Sequence, residues 1–142
     1  MKTLFGPLAL LISLSALNAQ GFSVTPYGPS CGPTASGVVE PVGSTWRFAF
    51  TVTGGVPKAY VLNFVGVAPQ AIPIEFGFPC LLLTDIAFAQ VHELDHAGSY
   101  TWSHAVPGGF AGHAFVQFAE FRFTSEGQFL VRTTNGLHMA PR

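Results

Sequence analysis

Five histidines and seven carboxylates are the groups in this 142-residue chain best suited to bind a metal or move a proton. They crowd most closely in His92-Glu93-Leu94-Asp95-His96. This is the H-E-x-x-H pattern, whose chemistry depends on a helix. A spacing of four puts His92 and His96 on one face as zinc ligands, with Glu93 beside the bound water as general base. Asp85 suits a helix cap, Ile86 to Ala97 contains no breaker, and Gly98 suits a terminator. Three features oppose that helix. Asp95 sits between the ligands, where a packed helix face wants no charge, and no suitably spaced third ligand follows. The chain also lacks a convincing second helix. The competing reading makes Leu94-Asp95-His96-Ala97-Gly98 a hairpin connection, with Asp95 bonding the local backbone and Gly98 supplying positive φ. This reading is preferred: no catalytic residue is assigned, no cofactor is expected, and His92 and His96 become surface residues.

Other groups carry weaker chemical signals. Gly28-Pro29-Ser30-Cys31-Gly32 matches G-x-S-x-G, but that nucleophile elbow needs a strand before it and a helix after it. Here Pro33 follows at once. His104 and His113 flank the Pro107 to Gly112 connection and would need a further His or acid to hold a metal. Tyr100 and Trp102, two apart, would present one aromatic face for stacking on a sugar ring if that face were outward. The same period more often marks a core.

These residues have to be carried by strands. Trp46, Phe48, Phe50 and Val52 alternate with Arg47, Ala49, Thr51 and Thr53, which predicts a strand with one buried face. Tyr60, Leu62 and Phe64 oppose Val61 and Val65, so this strand is apolar on both faces and is expected to be central. Ile72-Pro73-Ile74 is extended but proline-limited and suits an edge or crossover. Asn135-Gly136 is a tight-turn signal near the C-terminus. The 14 Phe, 16 Gly and 11 Pro, spread through short apolar runs, give eight or nine strands. The expected fold is an all-β, two-layer antiparallel β-sandwich of jelly-roll type.

The ends and the charge bound the setting. Met1-Lys2, an uncharged run from Phe5 to Leu17, and Asn18-Ala19 describe a signal peptide at 1–19, leaving one domain over 20–142. The expected location is extracellular or at the cell surface, with no membrane span. Charged residues are 9 % of the chain, and after the leader five basic side chains face seven acids. No basic stripe exists to neutralise phosphates, so nucleic acid is excluded as a partner. An even cysteine count in an exported chain favours a Cys31–Cys80 disulfide; two buried thiols are the alternative.

The order of several short motifs then resembles a family across nearly the whole domain. They are Tyr27-Gly28-Pro29-Ser30-Cys31-Gly32, the strand holding Phe48, Phe50 and Val52, Leu62-Asn63-Phe64-Val65-Gly66 and Phe78-Pro79-Cys80-Leu81-Leu82. Asp95-His96-Ala97-Gly98, Val106-Pro107, Gly112, Gln117 and Thr134-Asn135-Gly136-Leu137 follow. The set resembles short exported β-sandwich domains abundant in planctomycete-type bacteria. That resemblance implies a hairpin at Asp95 to Gly98 and a bridge between the two cysteines, and it carries no catalytic residues. The Ile86 to Glu93 stretch departs from it, being longer and more compatible with helix. The expected function is non-enzymatic, structural or adhesive, through contact with an extracellular polymer, a glycan or other copies of the chain.

Overall fold

The computed structural model describes residues 21–142, so the expected leader lies outside the described residues. Those residues form eleven strands and no helix, in antiparallel sheets that do not close into a barrel. The sandwich expectation holds, with two or three more strands than expected and a small third layer.

The major sheet runs β1 (Phe22–Tyr27), β11 (Gly136–Pro141), β9 (Ala114–Phe123), β4 (Tyr60–Gly66), β7 (Phe88–Glu93). A further strand, β10 (Phe129–Thr133), shares with β11 the same edge of β9. The minor sheet is β2 (Thr34–Val42), β3 (Thr45–Thr53) and β8 (Tyr100–Pro107). Strand β4 is central, between β9 and β7, as its two apolar faces require.

The alternating faces of β3, β4 and β9 meet between the sheets. Phe48, Phe50 and Val52 pack against Val61, Val116, Phe118 and Leu137, with the Phe22 ring edge-on to Phe48 at 5.3 Å. Burying each of the larger side chains contributes about 1.5–3 kcal/mol, which fixes the strand registers, since a one-residue slip would turn every one of them outward.

The third layer is a hairpin, β5 (Pro69–Glu75) with β6 (Pro79–Thr84), lying on the outer face of the major sheet. Its prolines leave β5 paired on one side only. Gln117, fully buried on β9, attaches the hairpin as a strand would. Its Oε1 accepts from the Leu83 N–H at 2.8 Å, and its Nε2 donates to the Leu81 and Thr134 carbonyls at 2.9 and 2.8 Å. The Cys31–Cys80 disulfide joins β6 to the loop before β2, with Cα atoms 5.4 Å apart.

Two expectations change. Residues 88–93 form the strand of the preferred reading and not the helix that H-E-x-x-H needs, because β4 offers them an open edge and six residues of register. The Asp95 to Gly98 turn forms as expected: Asp95 Oδ1 accepts from the Ala97 and Ser99 N–H groups, and Gly98 has φ +71°. It is not a hairpin, however. Strand β7 pairs with β4 and β8 with β3, so the turn carries the chain from one sheet to the other around fully buried Leu94.

Asn135 and Gly136, expected in a tight turn, sit instead at a jog between β10 and β11, which run on in the same direction along β9. The Asn135 amide accepts from the Ala35 N–H at 2.9 Å and donates to the Ala35 carbonyl at 3.0 Å, tying the two sheets together. Gly136 is required by close approach: a Cβ there would meet the Tyr27 ring at 2.4 Å.

Candidate binding surfaces

The H-E-x-x-H residues do not converge. On β7 successive side chains point to opposite faces. His92 turns inward, where its ring stacks on Tyr100 at 4.2 Å, and Glu93 turns outward to Lys58 Nζ at 3.0 Å. His96 is exposed in the turn. Burial lowers the His92 pKa and raises that of Tyr100. The zinc arrangement over His92, Glu93 and His96 is therefore not formed, and no group of three or more metal-binding side chains exists among the described residues.

Tyr100 and Trp102 both face inward on β8, opposite Val52 and Phe50 of β3. The exposed aromatic platform is thus not present. Tyr100 is covered by His92, whereas Trp102 reaches an opening. Because β7 ends one sheet and β8 the other, the sandwich gapes between them. Phe88 and Gln90 stand on one lip, Trp102 and His104 on the other, with Val65 on the floor and a hollow of about 330 Å³. A second hollow of about 290 Å³ continues inward from Val65, Trp102 and His104 towards Phe110.

Asn63, between Val61 and Val65 on the inward face of β4, is fully buried, and neither its amide oxygen nor its nitrogen has a partner among the described residues.

The outer face of the major sheet is the larger feature. In ordinary sandwiches it is polar; here Tyr60, Phe121, Phe129 and Phe123 form a continuous aromatic band. Tyr60 stacks on Phe121 at 5.8 Å, and Phe129 lies 6.1 Å from Phe121 and 5.1 Å from Phe123. Phe123 is 71 % exposed and Tyr60 51 %. Between this band and the β5–β6 hairpin runs a wholly apolar groove reaching Leu62, Ile74, Leu82 and Ile86. The band continues to Val91 on β7, opposite Leu62 and 56 % exposed.

Strand β7 ends that sheet, and no described residue pairs with its outer edge. Phe-Ala-Gln-Val-His-Glu contains neither Lys nor Pro, the residues that usually protect an edge.

Two side-chain clusters escaped the sequence reading. Glu120, mid-strand in β9, is buried against Arg132. His113 meets His138, not His104, with Nδ1 and Nε2 2.9 Å apart. The apolar neighbours of Glu120 hinted at its burial; nothing local predicts the histidine pair, whose members are 25 residues apart.

The chain matches no family model, no curated protein and no solved structure.

Proposed function

We propose that this chain is a secreted, non-enzymatic adhesive domain of the exported β-sandwich type, and that its partner is a second copy of itself. The observation that carries the reading is the aromatic band on the outer face, continuous with the bare β7 edge. Both features lie on one sheet, and antiparallel pairing of β7 with β7 about a two-fold axis satisfies the edge groups of both copies at once. The same pairing would extend a single sheet across the two molecules, with their apolar faces side by side. Five basic side chains against seven acids after the leader leave a small net charge, which gives little repulsion between copies. An oxidising compartment fits the disulfide, and no helix among the described residues is long and apolar enough to cross a membrane.

Sedimentation velocity over a wide concentration range tests this. Concentration-dependent dimers are expected, abolished by Val91→Lys, which places a charge on the edge without touching the inter-sheet core. A chain that remains monomeric at millimolar concentration would sink the proposal.

A second reading rests on the cleft between β7 and β8. Trp102 at its lip, near-parallel to Phe50 and His104 at 5.6 Å from each, gives the hollow an aromatic wall for a sugar or another flat ligand. Glycan-array retention lost on Trp102→Leu, with folding retained, would favour it over self-pairing.

A further inference from the structure

His113 precedes β9 and His138 lies on β11, diagonal neighbours on the outward face of the major sheet. Their ring centroids are 5.1 Å apart and their planes 21° from parallel, while Nδ1 of His113 and Nε2 of His138 are only 2.9 Å apart. Those three values together describe two rings lying nearly edge to edge in one plane, with two nitrogens aimed at each other. The His138 ring is also fixed from behind. It lies flat on Phe115, 4.5 Å away with planes 2° apart, and Phe115 is braced in turn by the Tyr27 ring. One imidazole is therefore held in place, and the other meets it at the surface.

Two neutral imidazoles sharing one hydrogen leave a lone pair directed at the place that hydrogen occupies. A late first-row cation accepts the same pair of donors. With metal–nitrogen bonds of about 2.0–2.1 Å, two ligands at angles between 90° and 110° have nitrogens about 2.9–3.4 Å apart. The observed separation already falls at the short end of that range. With His138 held, it is the exposed His113 ring that must turn for both lone pairs to meet at one point.

We propose that His113 and His138 form an open, two-imidazole site for a divalent transition metal, Cu2+ before Zn2+. The order follows from the general affinity of nitrogen donors along the first row. On binding, the hydrogen between the rings moves to a distal nitrogen, so that His113 ligates through Nδ1 and His138 through Nε2, each keeping its other N–H. No net proton is released from the neutral pair. The remaining coordination positions open outward to water. With only two protein ligands the site is labile, suited to capture and exchange of a cation and not to a structural metal. It rests on no part of the self-association reading.

The test is titration of Cu2+ into the purified protein at neutral pH in a weakly coordinating buffer. Calorimetry would give affinity and electron paramagnetic resonance the ligands. One saturable site is expected, with hyperfine structure from two imidazole nitrogens and weaker binding of Zn2+. His113→Ala and His138→Phe should each weaken Cu2+ binding at least tenfold; His138→Phe keeps the flat contact with Phe115, so the fold is preserved. His96→Ala, in the exposed turn, should leave it unchanged. Absence of saturable binding in folded protein, or binding that persists in both the His113 and His138 variants, would overturn the proposal.

Discussion

Arg132 reaches the buried carboxylate of Glu120 with two nitrogens, Nε at 2.9 Å and Nη2 at 2.7 Å from the same oxygen. The other oxygen accepts from the Val56 N–H at 2.6 Å, so the carboxylate joins β10, β9 and the loop between β3 and β4. Taking the arginine away leaves a charge that is 1 % exposed with one backbone donor. Arg132→Met should cost about 3–5 kcal/mol, read as a lower urea midpoint. A change below 1 kcal/mol would show that water replaces the guanidinium.

Asn63 presents the opposite case. Its amide is enclosed and without a partner among the described residues, and an unsatisfied buried polar group costs about 1–3 kcal/mol. Leucine has nearly the same shape. Asn63→Leu is expected to raise the thermal midpoint, with a gain of that order. If stability falls instead, the amide is satisfied in solution and the cleft behind β7 is wetter than its lining suggests.

Tyr27 donates to the Leu83 carbonyl at 2.8 Å, which helps hold the β5–β6 hairpin to the sheet. Burial, with the Asp85 charge adding to it, pushes its pKa up to about 12. The unfolded chain ionises this phenol near 10, so between about 10 and about 12 the unfolded state holds fewer protons than the folded one. Tyr27 thus contributes stability that is fully present below pH ~10 and is lost as pH rises through about 12. Tyr27→Phe should cost about 0.5–1.5 kcal/mol near neutrality and flatten that part of the alkaline decline. An alkaline unfolding curve identical in both proteins would refute this assignment.

The disulfide spans 49 residues of sequence. On the chain-entropy model, closing such a loop contributes about 4 kcal/mol, and the paired Cys31→Ala, Cys80→Ala variant should lose about that much. Because the bridge anchors the hairpin, the loss should be accompanied by increased binding of an apolar dye at the groove beneath it. Unchanged dye binding would place the anchoring with the Gln117 and Tyr27 hydrogen bonds instead.

What the chain states locally, it states well. The alternation of Trp46, Phe48, Phe50 and Val52, the two apolar faces of Tyr60 to Val65, and the Asp95 to Gly98 turn all depend on neighbours within a few residues. A side-chain period or an Asx turn is decided at that range. Even the disulfide followed from a count of two cysteines in a chain read as exported. Residues 86–97 were legible as either helix or strand because no breaker intervenes; only the waiting edge of β4 decided between them.

The candidate sites belong to the other category. Tyr100 and Trp102 alternate in the same way whether their face is in or out, and it is the packing of β8 over β4 and β9 that turned them inward. Asn135-Gly136 carries the signal of a tight turn, yet its amide pairs with Ala35, 100 residues away. The bare β7 edge, the aromatic outer band and the His113–His138 pair all arise from which strands became neighbours. Local sequence sets the conformation and face pattern of each strand, since those follow from short-range sterics and periodicity. Pairing across long loops is selected by the total burial and hydrogen bonding of the assembled sheets, so the surfaces that could bind anything were decided only in the tertiary structure.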